Sequence, residues 1–274
     1  MTVVHRLTAG PAVLEVDPRD GGRWTSLVVG GLELLSGAVA DGVPTGVQHG
    51  CFAMAPYAGR LGHGRLVHAG RSWQLPRDAP PHAIHGHVFD VPWQVGPYGR
   101  AGSEMVLTAR LGAPWPFAGT VRQELRLTPD GLDARLVLRA DEPMPVTLGW
   151  HPWFARQLGR GGPLTLQVDP VAQYALDQQG LPTGELVTPT GGPYDDCFRG
   201  MRSPPRLVWP GALELTMSSS ADHWVVFDRL PGVVCVEPQT GPPDAAALGL
   251  AHIVPAGGEL ALELGLRWAA DGGR

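Results

Sequence analysis

Lysine is missing from this 274-residue chain: all 21 of its basic residues are arginine. That excludes a lysine Schiff base, covalent pyridoxal phosphate chemistry and a P-loop lysine. Paired cysteines are missing too. Cys51, Cys197 and Cys235 are widely spaced and odd in number, so neither a zinc knuckle nor a disulfide framework is indicated. Positive charge is not in excess. The formal charge of −5 speaks against nucleic acid or an anionic membrane as the main partner. Met1 to Pro11 lack a basic region followed by an apolar run, and no stretch approaches the roughly eighteen uncharged apolar residues of a membrane span. The expectation is a cytoplasmic protein with no signal peptide and no membrane segment, a monomer or homodimer.

Amphipathic helical spacing is scarce as well. The best candidate is Asp244-Ala245-Ala246-Ala247-Leu248, at most about two turns. What is present instead is a period of two. Val121, Leu125 and Leu127 alternate with Arg122, Glu124 and Arg126. Thr128-Pro129-Asp130-Gly131 follows with Pro and Gly where turns want them, and then Leu132, Ala134, Leu136 and Leu138 resume the pattern. This predicts a β-hairpin with one buried face. Ala12 to Val16, Leu164 to Val168, Trp224 to Phe227, Val233 to Val236 and Leu260 to Trp268 read as further strands. Gly (38) and Pro (28) make about a quarter of the chain, yet apolar residues are 43% and evenly spread, so the loops are long but the chain is not of low complexity. Many short strands between Gly/Pro turns indicate an antiparallel sandwich or barrel. With no linker-type break, one domain over residues 1–274 is expected.

Five stretches carry chemistry. In Thr147-Leu148-Gly149-Trp150-His151-Pro152-Trp153-Phe154 a single histidine sits among aromatic rings. Flat apolar faces such as Trp153 can pack on a pyranose, and an imidazole can move protons near neutral pH. In Pro56-Tyr57-Ala58-Gly59-Arg60, Pro and Gly punctuate the backbone around Tyr57 and Arg60, and an arginine held on a turn can fork onto sugar hydroxyls. His82-Ala83-Ile84-His85-Gly86-His87 raises a metal hypothesis, since His85 and His87 would share one face of a strand. Gly86 interrupts that strand and no further ligand lies nearby, so hydrogen bonding by His85 to a substrate is preferred and no metal is expected. Tyr194-Asp195-Asp196-Cys197-Phe198 offers a carboxylate as a hydroxyl acceptor. In Val233 to Asp244, Glu237 ends an apolar strand. A carboxylate there is costly unless it is used, and desolvation raises its pKa toward that of a general base.

Together these motifs resemble the aldose 1-epimerase (mutarotase) family. The resemblance rests on Pro56 to Arg60, His85-Gly86, His151-Pro152-Trp153, Asp195 to Phe198 and Glu237-Pro238-Gln239-Thr240, all in the family's order. It implies an all-β fold, a large antiparallel β-sandwich (supersandwich) of the galactose mutarotase-like type. It also implies cofactor-free exchange of α and β anomers of an aldose. By resemblance His151 matches the general acid, Glu237 the general base, and His85 a second histidine near the ring oxygen. Arg60 and Asp195 match the substrate-holding pair, with Tyr57, Trp153 and Gln239 beside them. A bell-shaped pH profile is expected, with its acid limb belonging to Glu237 and its basic limb to His151. Two positions depart from the family pattern: Gly59 where relatives often carry Asn, and Asp196 where they often carry His.

Two other readings stay open. Epimerisation of a hexose 6-phosphate would need extra arginines at the pocket, and Arg65, Arg71 or Arg156 could serve. A carbohydrate-binding module would need neither an acid nor a base at a tuned pKa.

Overall fold

The hairpin read from the alternation forms as the strands Gly119–Thr128 and Gly131–Ala140, with Thr128 paired to Gly131 across a two-residue turn. The computed structural model describes residues 4–37, 49–96 and 102–271. Residues 1–3, 38–48, 97–101 and 272–274 of the expected 1–274 domain lie outside the described residues. Glu259–Ala270 joins the hairpin and buries Leu262, Leu264, Leu266 and Trp268, the alternate residues of the predicted last strand.

These strands belong to an eight-stranded sheet that faces an eleven-stranded one, and every ladder between named strands is antiparallel. In the larger sheet Cys51–Met54, Gly149–Ala155, Val233–Gln239, His223–Phe227 and Asp195–Met201 lie side by side in that order. One buried apolar cluster, running from Leu7 to Trp268, fills the space between the sheets. Each fully buried large side chain there contributes about 1.5–3 kcal/mol. Polar ties cross the same space: Trp24 Nε1 donates to Gln123 Oε1 at 2.5 Å, and Trp209 Nε1 to the Ala155 carbonyl at 3.0 Å.

The central strands of the larger sheet are buried on both faces, and the period of two decides what each face holds. From Gly149–Ala155, Trp150 and Phe154 enter the inter-sheet core, while Trp153 joins a second cluster with Phe52, Met54 and Cys235 on the opposite face. From Val233–Gln239, Val234 and Val236 face the core and Cys235 the other cluster, which sends Glu237 outward with Cys235. Burial on both faces explains why this strand reads as a continuous apolar run.

The short helix expected at Asp244 to Leu248 is absent, and no α-helix occurs among the described residues. Asp244 adopts φ +58°, outside helical space, and Gly249 at φ +70° closes the segment. The chain makes a turn instead, with Ala247 N–H donating to Asp244 O at 3.0 Å. Four residues between two left-handed positions cannot repay the cost of helix nucleation.

The His85–His87 segment docks differently from a strand. Ala55 and Gly86 form an isolated parallel bridge, and His87 N–H donates to Ala55 O at 2.9 Å. Gly86 has φ +77°, and a Cβ there would lie 2.0 Å from the Ala55 carbonyl oxygen. Gly86→Ala should therefore cost about 3 kcal/mol or more. Gly70→Ala, at φ +75° with open space around it, should cost only about 1 kcal/mol. Urea midpoints at unchanged slope would check this, and equal losses at both positions would refute the close-approach account.

Candidate active site

The ladder that pairs Gly149 with Gln239 and Trp153 with Cys235 sets His151 opposite Glu237 on the outward face. The two meet there: His151 Nε2 lies 3.2 Å from Glu237 Oε1. Both are buried, at 5% and 2% exposure. They open onto a cavity of ≈ 520 Å³, whose lining also includes Arg60, His85, Trp153, Asp195 and Gln239. That volume suits a monosaccharide-sized ligand.

Each side chain is held in place from behind. Phe52, opposite His151 on the neighbouring strand, stacks on the imidazole at 4.7 Å, and Trp153 stacks on it at 5.1 Å. His85 meets the same ring edge-on at 4.8 Å. Beyond Phe52 lies Arg23, fully buried, its guanidinium 4.9 Å from the phenyl centroid. Arg23 also donates to Asp20 Oδ2 at 2.8 Å and to the His49 carbonyl at 2.9 Å. On the other side Gln239 Nε2 donates to Glu237 Oε2 at 3.2 Å and fixes the carboxylate. Arg60 Nη2 and Asp195 Oδ2 lie 3.6 Å apart at the half-exposed rim.

Burial governs the charges. It pushes the Glu237 carboxyl well above the ordinary carboxylate range; the nearby Asp195 adds to this, while the Gln239 hydrogen bond and Arg60 oppose it. Burial pulls the His151 imidazole down to about 3, helped by the positive charge of Arg23. His85 is also held neutral, first by burial and then by His151 and Arg60. Burial thus disfavours both charged forms, raising the carboxyl and lowering the imidazole. These directions run against an acid limb from Glu237 and a basic limb from His151, and the two titrations belong to a coupled pair.

Seven of the eight predicted site residues converge on this cavity. Tyr57 does not. Its ring turns into the core against His87 and Trp115, with centroids at 5.7 and 5.9 Å, and its hydroxyl has no partner among the described residues. Burial pushes that phenol above its ordinary range. The three histidines of the 82–87 segment diverge. His82 Nδ1 accepts from His63 N–H at 3.1 Å, His85 packs on His151, and His87 on Tyr57. The left-handed backbone at His85 and Gly86 replaces the strand that would have put His85 and His87 on one face.

Both departures from the family pattern have local causes. Gly59, at φ +70°, packs against Pro243, and a Cβ there would lie 2.7 Å from the proline Cγ. Asp196 points away from the cavity and accepts from Gln173 Nε2 at 2.8 Å. His82, flagged by its histidine-rich stretch, does line the rim, whereas Phe52, Arg23, Phe227 and Gln179 gave no local signal as site residues. A larger concavity, ≈ 890 Å³, lies on the outer face of the eight-stranded sheet. Its charges are already matched, Arg126 with Glu104 at 3.7 Å and Arg135 with Glu124 at 3.5 Å.

The family model for aldose 1-epimerases matches residues 16–243. The uncharacterized protein YphB of Escherichia coli K12 is 28% identical over 158 residues, which are 55% of this chain and about half (51%) of that protein. Among solved structures, a galactose mutarotase-like protein from Clostridium acetobutylicum superposes with a TM-score of 0.84 at 16% identity, covering 97% of this chain and 94% of that one. A galactose 1-epimerase from Lactobacillus acidophilus gives 0.80 at 15% identity, with 97% and 93% covered. At these identities the structural likeness establishes the fold.

The buried carboxyl leads to a stability test. With its pKa raised in the fold, Glu237 favours the native state below its unfolded value near 4.5, and that advantage is lost as pH rises toward the folded value. Glu237→Gln removes the titration. The variant should be more stable than the parent by about 1–3 kcal/mol at pH near 8, and by less at pH near 5. Urea unfolding at both pH values checks this; a gain that shrinks as pH rises would contradict the shift.

Proposed function

Because this chain belongs to the aldose 1-epimerase family, we propose that it interconverts the α and β anomers of a free aldose, by ring opening with Glu237 as base and His151 as acid. The observation that carries this reading is the buried 3.2 Å contact between His151 Nε2 and Glu237 Oε1 at a sugar-sized cavity. Anomer exchange requires one proton to leave the C1 hydroxyl and one to reach the ring oxygen. A pair holding a single proton can do both, because shifting it from carboxyl to imidazole gives a carboxylate base and an imidazolium acid without any exchange with solvent. The carboxylate takes the O1 proton as the imidazolium protonates the ring oxygen and the bond from C1 to that oxygen breaks. The open aldehyde turns about C1–C2, and the reverse steps close the other anomer.

The remaining residues hold the sugar. His85 Nδ1, Trp153 Nε1 and Gln239 Oε1 are buried without partners among the described residues, and sugar hydroxyls would satisfy them. The Trp153 face packs on the ring, and Arg60 with Asp195 brackets the hydroxyls at the rim. We place the protein in the cytoplasm. Its three free, buried cysteines suit a reducing compartment.

A 6-phosphate is less well served. Arg60 is the one arginine in the cavity lining among the described residues, and it already faces Asp195. Arg156 is spent on the Asp228 carbonyl at 3.0 Å, Arg71 lies over Trp73, and Arg65 contacts Ser72. A passive binder would gain nothing from burying a carboxyl against an imidazole.

Polarimetry on freshly dissolved glucose, galactose, xylose, arabinose and glucose 6-phosphate tests this reading. At least one free aldose should equilibrate much faster than in buffer, and its 6-phosphate more slowly. Fastest turnover of the phosphate would move the assignment to a hexose-6-phosphate epimerase. Tight sugar binding with no acceleration would make the protein a binder.

A further inference from the structure

Cys235 has no part in anomer exchange, yet it stands beside the acid–base pair. It is fully buried, two residues before Glu237 on the same face of its strand and opposite Trp153. Donor atoms of His151, Cys235 and Glu237 all lie within 4.8 Å of one another. Two of them, the imidazole Nε2 and a Glu237 oxygen, are already 3.2 Å apart. One nitrogen, one sulfur and one carboxylate oxygen form a three-donor set of the kind that binds zinc and leaves a fourth position open. Metal–ligand bonds of about 2.0–2.3 Å require donors roughly 3.3–3.6 Å apart. The widest pair must therefore close by roughly 1 Å, within reach of side-chain rotation at Cys235 and Glu237. The donors ride on two adjacent strands, buried at each donor position, so little backbone has to be ordered. His151 and Glu237 both line the cavity, which gives a cation its approach and leaves its fourth position to water or a sugar hydroxyl.

We propose that His151, Cys235 and Glu237 form an inhibitory site for a thiophilic divalent cation of the zinc class. Binding forms metal bonds to imidazole, thiolate and carboxylate, and releases the thiol proton and the carboxyl proton to solvent, with no change of oxidation state. The same bonds occupy the lone pairs that anomer exchange needs, so the cation blocks turnover and is no cofactor. The effect on turnover rests on the anomer-exchange reading; the binding does not.

The test uses the full-length protein and two readouts. Cd²⁺ titration followed by the ultraviolet thiolate-to-cadmium band reports binding, and Zn²⁺ inhibition of anomer exchange reports the consequence. Wild type should show the band saturating at one equivalent and inhibition by Zn²⁺. Cys235→Ala should keep basal turnover, lose the band and need about tenfold to a hundredfold more Zn²⁺ for half inhibition. Cys235→Ser guards against a packing defect in the alanine variant. Glu237→Gln should weaken the Cd²⁺ band even though it is inactive. An absent band in wild type, or a band and inhibition unchanged by either Cys235 substitution, would overturn the proposal. A band lost with Cys235 in a protein that moves no anomers would uphold the site and refute the function.

Discussion

An imidazole and a carboxyl face each other at 3.2 Å across two neighbouring strands, both almost wholly out of water. Taken alone, either charged form would be heavily penalised by burial. Together they can keep one proton between them and no net charge. The surroundings reinforce this. Arg23, behind Phe52, opposes protonation of His151, and Asp195 opposes ionisation of Glu237. The form that does chemistry, carboxylate with imidazolium, is then one proton shift away.

The sheet makes this arrangement possible by its period of two. Trp150 and Phe154, Val234 and Val236 enter the space between the sheets and supply burial energy. The intervening residues emerge on the opposite face, where His151 and Glu237 meet. His151 and Glu237 are thus flanked in sequence by buried residues, Trp150 and Pro152, Val236 and Pro238, and inherit their rigidity. Phe52 and Trp153 both stack on the imidazole, and Gln239 orients the carboxylate. The loops add Arg60, half-exposed on its Gly-led turn, and His85, buried at a left-handed bend that bridges to Ala55.

Much of this was legible in the sequence. The alternation around Thr128 to Gly131 dictated its hairpin, and the Glu259–Ala270 strand could be read residue by residue, because each has one wet face. His151 and Glu237 stood out as polar residues stranded in apolar runs. Other features depended on long-range contact. Tyr57 looks like a pocket residue beside Arg60, but the turn directs its ring toward Trp115, nearly sixty residues away in sequence. The Asp244 segment has helix-forming alanines, yet the left-handed residues at Asp244 and Gly249 hold it to a single turn. The histidines at 82–87 suggested a shared strand face until a close backbone approach at Gly86 fixed a different path. Cys235 beside His151 could not be foreseen, since their proximity is set by strand register alone.

The central claim is that one shared proton on His151 and Glu237 drives anomer exchange. The most direct measurement is magnetisation-transfer NMR between the α and β anomeric protons of the preferred sugar, comparing wild type, Glu237→Gln, His151→Asn and the double variant. The account requires each single variant to slow exchange by about a hundredfold or more, and the double variant to lose less than the product of the two, because both act on one proton. Near-normal exchange in folded Glu237→Gln would contradict it.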